Sequence, residues 1–175
     1  MKKIALFGLL LVFAFATTEI SAQERRAPSP GAKLEQKVGL TDVTIEYSRP
    51  SMKDRKIMGE LVPYGSIWRT GANTATKITF SDDVTIEGKS LMAGSYAILT
   101  MPGMDSWGVM FYKFGEAGFN TYVEKEPDLK VMVEPVKIDC NVESFLINVD
   151  ELRDNSASIQ FIWENTMVPV SLGVK

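Results

Sequence analysis

Val43-Thr44-Ile45-Glu46-Tyr47-Ser48 decides the fold of this chain. Apolar Val43, Ile45 and Tyr47 alternate with polar Thr44, Glu46 and Ser48. In a strand, successive side chains point to opposite faces, so this run presents one apolar face and one wet face. The same period of two returns in Ile78 and Phe80, set against Lys77 and Thr79, and in Val84 and Ile86, set against Thr85 and Glu87. Further strand-like runs cover residues 95–101, 107–114, 129–133, 136–142, 145–149, 158–163 and 167–172.

Turn chemistry separates these runs. Ser81-Asp82-Asp83, Glu87-Gly88-Lys89, Met92-Ala93-Gly94 and Pro102-Gly103-Met104-Asp105 read as hairpin-like breaks. Asp154-Asn155-Ser156 and Glu164-Asn165-Thr166 break the last runs. The apolar phase changes between Cys140–Val142 and Phe145–Val149, which predicts a turn or bulge near Glu143-Ser144. Two stretches depart from the strand pattern. Residues 53–61 place Ile57 and Leu61 at i, i+4 spacing and predict a short helix, although Gly59 weakens it. Residues 115–126 read as a loop with a helical turn. The expectation is an all-β domain of roughly 8 to 11 strands with one or two short helices, built as a two-sheet antiparallel, jelly-roll-like sandwich. A closed β-barrel is the alternative.

The amino-terminal end predicts destination. Lys2 and Lys3 precede an apolar run from Ile4 to Ala16, interrupted only by Gly8, and Ser21-Ala22 offers small residues before Gln23. That is the layout of a cleaved secretory signal over residues 1–22, with Ile20 standing where a smaller residue is preferred. The apolar run is shorter than the roughly 20 residues that span a bilayer. Residues 23–32, with two prolines and two arginines, read as a loose leader, and residues 33–175 as one domain. Without residues 1–22 the chain has 153 residues and a formal charge of −4, enough length for a core without staples. Periplasmic or secreted protein is expected. Neither nucleic-acid binding nor membrane insertion after cleavage is expected from this charge and hydropathy.

Composition removes several chemistries. The chain has no histidine, so Ser-His-Asp and Cys-His catalysis and histidine zinc sites are excluded within it. Cys140 is the single cysteine, so no internal disulfide forms. Its place in the alternation Ile138, Cys140, Val142 reads as a small buried hydrophobe. Asp82-Asp83 reads as a plain turn, Trp107 and Trp163 as core, and the scattered methionines as core filling. Asp150, Glu151, Asp154 and Glu164 lack calcium-loop spacing. No metal and no cofactor is expected.

One segment is neither alternating nor a simple turn: Ile67-Trp68-Arg69-Thr70-Gly71-Ala72-Asn73-Thr74-Ala75-Thr76. It concentrates tryptophan, arginine, asparagine and three threonines around a glycine that permits a tight backbone. Upstream lie Tyr47-Ser48-Arg49-Pro50 and Arg55-Lys56-Ile57-Met58-Gly59. These residues, with Val43, Gly88-Lys89, Ala93-Gly94-Ser95-Tyr96, Pro102-Gly103 and Trp107, resemble the DUF2911 family, bacterial exported proteins with no assigned function. The resemblance spans most of the mature chain. It implies a single secreted domain and supplies no reaction and no site residues.

The chemistry of the segment therefore rests on its residue types. Arg49, Arg55 and Arg69 are suited to converge with Asn73 and Thr76 on an anion, because guanidinium forks donate paired hydrogen bonds to carboxylate or phosphate. Trp68 and Tyr47 are suited to wall a sugar or planar group. The competing reading is structural: Arg69 pairs with a buried acid, Asn73 and the threonines tie down a long loop, and Trp68 plugs the sandwich. Two functions follow. One is a binding or interaction module for a small anionic or carbohydrate ligand near Trp68–Thr76. The other is a histidine-independent hydrolase of envelope glycans or esters, which needs two carboxyls in a cleft. No catalytic residue is assigned, and the absence of an acid pair near the segment favours binding.

Overall fold

The computed structural model describes residues 26–115 and 118–175. The signal reading at residues 1–22 and the start of the leader lie outside the described residues. Among the described residues ten strands form, in chain order β1 (Gly31–Val38), β2 (Thr41–Ser48), β3 (Thr76–Phe80), β4 (Val84–Ile86), β5 (Lys89–Leu91), β6 (Gly94–Met101), β7 (Trp107–Lys113), β8 (Leu129–Val133), β9 (Val136–Asp150) and β10 (Ser156–Gly173). A short helix, α1 (Phe119–Val123), precedes β8. Six strands make one sheet in the order β1-β2-β3-β6-β7-β8, and four make the other in the order β5-β4-β10-β9. Every pairing is antiparallel, and neither sheet closes on itself. The protein is an all-β sandwich, and the barrel alternative does not apply.

Alternation places the core between the sheets. Val43, Ile45 and Tyr47 of β2 and Ile78 and Phe80 of β3 share it with Phe145, Ile147 and Val149 of β9 and Ile159, Phe161 and Trp163 of β10. A smaller apolar cluster lies on the outer face of the six-stranded sheet, where Tyr122 of α1 packs with Ala97, Leu99, Met110 and Tyr112. The helical turn expected within residues 115–126 is thus the cover of this second face.

Several expectations are corrected. Gly31 and Ala32, read as the end of a leader, open β1, whose inward side chains Ala32, Leu34 and Val38 are separated by charged positions. Residues 53–61 form turns rather than a helix. Lys53, Asp54 and Gly59 all have positive φ, which a right-handed helix cannot use, and Ile57 is fully buried while Leu61 is 44% exposed. Glu164-Asn165-Thr166 does not end a strand. β10 runs through it, with Glu164 at φ 55° and its register against β9 shifting on both sides. The first shift sets Glu143, Ser144 and Phe145 against Trp163, the bulge that the phase change predicts. The second sets residues 138–141 against Asn165 alone, and Cys140 is therefore exposed on a bulge rather than buried.

Of the hairpin-like breaks, those at Gly88 and at residues 102–105 join neighbouring strands. Ser81-Asp82-Asp83 and Met92-Ala93-Gly94 instead carry the chain from one sheet to the other and back. Asp82 accepts from the Ser81 hydroxyl and Asp83 from the Ala93 N–H, so the pair serves the crossing.

Candidate functional site

The long connection from β2 to β3, residues 49–75, folds over one end of the sandwich and makes a cleft of about 410 Å³. Its first half is held by the β9 bulge. The Met52 N–H donates to the Glu143 carbonyl (2.8 Å), and the Phe145 N–H donates to the Pro50 carbonyl (2.9 Å). The hydroxyls of Ser51 and Ser144 bond at 2.8 Å. Two carboxylates complete the attachment. Glu143 accepts from the Lys53 N–H (3.0 Å), and Glu164 accepts from the N–H groups of Ile57 (3.4 Å) and Met58 (3.1 Å).

The second half begins where β3 leaves β6 unpartnered. Thr76, the first β3 residue, pairs with Ile98 of β6, and Trp68 takes the next place along β6 beside Thr100, with reciprocal backbone bonds of 2.7 and 2.9 Å. The chain then turns sharply through Thr70 (φ 54°), Gly71 (φ 145°) and Asn73 (φ 60°). A β-branched residue at positive φ is an outlier and requires support. Buried Thr70 has it: its hydroxyl donates to the Thr100 hydroxyl (3.1 Å), and its carbonyl accepts from the Thr76 hydroxyl. Gly71 admits no side chain, since a Cβ there would stand 2.9 Å from the Ser48 carbonyl oxygen. Asn73 donates to the Ser29 carbonyl (3.2 Å) and the Ser48 hydroxyl (3.1 Å), which draws residues 28–29 in as a further wall.

The floor is aromatic. Trp68 stacks on Trp163 with ring centres 5.7 Å apart and planes 20° from parallel. Phe145 meets Trp68 edge-on at 5.0 Å, and Tyr47 backs Phe145 at 5.9 Å. Both indole N–H groups are committed, Trp68 to the Gly71 carbonyl (3.1 Å) and Trp163 to the Glu143 carbonyl (3.2 Å).

The rim is cationic, with Lys53, Arg55 and Arg69 all lining the cleft. None has a carboxylate within ion-pair distance among the described residues. Arg55 donates from Nε to the Met52 carbonyl (2.8 Å) and from Nη2 to the Ser51 carbonyl (2.7 Å). Arg69 donates from Nη1 to the Asn73 carbonyl (2.6 Å), and its guanidinium lies 4.7 Å from the centre of the Phe119 ring.

Four of the seven residues singled out in the sequence line this cleft: Arg55, Trp68, Arg69 and Asn73. The other three stand behind it. Tyr47 is buried, and its hydroxyl accepts from the Ile147 N–H (3.1 Å), joining the two sheets. Arg49 donates from Nε to the Phe145 carbonyl (2.9 Å), and Thr76 is buried beneath Thr70. Lys53, Trp163 and Ser29 are lining residues that the sequence does not single out. Trp163 is core as expected, only 2% exposed, yet its edge reaches the cleft. All three arrive through long-range pairing, which leaves no local signal.

A two-sheet antiparallel sandwich carrying a cationic, tryptophan-floored cleft at one end is the class that fold and site define. Residues 29–172 match the family model described as protein of unknown function (DUF2911), and the chain belongs to that family. Neither a curated protein nor a solved structure matches the chain.

Proposed function

We propose that this protein is an exported binding module, periplasmic or secreted, that holds a small anionic or carbohydrate ligand in the cleft bounded by Trp68, Arg69 and Asn73. The observation that carries this reading is the convergence of three cations with no carboxylate partner among the described residues on a floor of two stacked tryptophans. Small-molecule sites of this kind are concave, largely apolar and few in polar groups, with volumes of roughly 300 to 1,000 Å³. The positive φ values at Lys53, Asp54, Thr70 and Asn73 gather in the two segments that form the cleft, as strained backbone does at ligand clamps. The export component rests on the signal-like residues 1–22. A histidine-independent hydrolase gains no support from the lining, which contains no Asp or Glu among the described residues. Thermal-shift screening of the purified protein against small carboxylates, phosphates and sugars tests the proposal. At least one compound should raise the melting midpoint of the wild type and not that of Arg69→Ala. A flat response across the panel would overturn it.

A further inference from the structure

Resting on that reading of the cleft, we infer that its ligand is an amphiphilic anion: one carboxylate, phosphate or sulfate head on an aromatic or acyl body, rather than a neutral sugar. Charged donors outweigh acceptors among the side chains of the cleft. Lysine and arginine only donate hydrogen bonds. The hydroxyl of Ser51 is engaged with Ser144, and the Asn73 amide nitrogen is directed to Ser29 and Ser48. The lining includes no carboxylate among the described residues, so its side-chain acceptors are the Asn73 amide oxygen and the Ser29 and Ser51 hydroxyls, all neutral, beside three cationic donors. A neutral sugar presents several hydroxyls, each needing an acceptor, and a buried donor left unmade costs about 1–3 kcal/mol. Anionic oxygens need donors alone, and this rim supplies them.

The floor excludes polar bodies for a second reason. Both indole N–H groups are spent on backbone carbonyls, so half-buried Trp68, backed by the 2%-exposed Trp163, offers only carbon surface. Pro50, Leu61 and Val62 extend that surface. An apolar body gains contact there, whereas hydroxyls aimed at it are desolvated without return.

The guanidiniums divide the work at the head group. Arg69 uses Nη1 on the Asn73 carbonyl, which leaves the Nε–Nη2 edge, the edge that grips a carboxylate or phosphate with two parallel bonds. Contact with the Phe119 ring fixes the plane of that fork. Arg55 has its own Nε–Nη2 edge tied to backbone carbonyls, so it keeps the two N–H groups of Nη1 and the outer N–H of Nη2. Arg69 thus offers the side-on fork and Arg55 the end-on Nη1–Nη2 pair, with Lys53 as a single-point donor.

Equilibrium titration followed by amide chemical shifts tests this with five probes: phenyl phosphate, octanoate, inorganic phosphate, glucuronate and methyl glucoside. Phenyl phosphate or octanoate should bind at least about tenfold more tightly than inorganic phosphate and methyl glucoside. The shifts should centre on Trp68, Arg69 and the Lys53–Arg55 turn. Arg69→Ala should weaken the amphiphile by about tenfold or more, and the exposed Lys53→Gln, which disturbs no side-chain bond, should weaken it less. Glucuronate or methyl glucoside binding in the cleft as tightly as phenyl phosphate would overturn the inference and leave the binding reading standing. An amphiphile whose affinity survives both substitutions would overturn it as well. No probe binding at the cleft would overturn both.

Discussion

Arg69 shows how a charge can be half-buried without an ion-pair partner. Its guanidinium is held by the Asn73 carbonyl and the face of Phe119, not by an acid among the described residues. Arg69→Ala therefore strands no buried counter-charge, which would cost about 3–5 kcal/mol. The loss is one hydrogen bond, about 1 kcal/mol, and a cation–π contact of about 0.5–1 kcal/mol. The thermal midpoint should fall by only a few degrees, while anion binding weakens by about tenfold or more. Two residues further on the tolerance is smaller. Gly71→Ala puts a Cβ against the Ser48 carbonyl and 3.3 Å from the Thr76 hydroxyl, at a φ that alanine rarely adopts. A destabilisation on the order of 1–3 kcal/mol is expected, read from denaturant midpoints.

The paired bulges of β9 and β10 build the cleft from a distance. Each offers a carboxylate to backbone N–H groups of the 51–62 connection, Glu143 at Lys53 and Glu164 at Ile57 and Met58. Glu164→Ala should raise amide exchange at Ile57 and Met58 and cost about 1–3 kcal/mol, with the amides of β2 and β3 left protected. These bulges also mark where sequence stops being informative. The alternation in β2, β3 and β8 is legible because each is a short strand with one face buried, and the 143–144 bulge shows itself as a change of phase. β1 escapes a sequence reading because Lys33, Glu35 and Lys37 on an edge strand look like linker. Glu164-Asn165-Thr166 looks like a turn because a bulge uses the same polar residues and the same positive φ. Cys140 defeats the alternation rule because that rule assumes a continuous ladder, and residues 138–141 have left it. The contiguous half of the cleft, Trp68 to Asn73, can be read locally. Lys53, Trp163 and Ser29 cannot, since strand pairing and loop closure bring them there.

The sandwich as a whole carries two phenols whose ionisation opposes folding. Burial pushes the Tyr96 hydroxyl above the ordinary tyrosine range, and the charges of Asp128 and Asp83 add to it. Burial raises Tyr112 likewise, helped by Glu126. A phenol that keeps its proton longer in the folded state than in the unfolded one contributes stability that is complete below about pH 10. That contribution is lost as pH rises from there through the raised folded value. Urea midpoints should hold to about pH 9 and then fall. Tyr112→Phe should leave the neutral midpoint nearly unchanged, since the hydroxyl reaches only the Met110 sulfur at 3.6 Å, and should flatten part of the alkaline loss. The two ends of the described chain, meanwhile, emerge at opposite poles. Pro28 and Ser29 form a wall of the cleft, and the Pro30 carbonyl accepts from the Arg49 N–H. Lys175 lies with Leu40, Thr41 and Asp83 beside the turn at the far end of β1, a strand of eight residues and so roughly 26 Å away. An affinity tag or fluorescent fusion ahead of residue 26 would crowd the mouth of the cleft. Tethering through the carboxyl terminus would leave that mouth facing the solution on a sensor chip or bead.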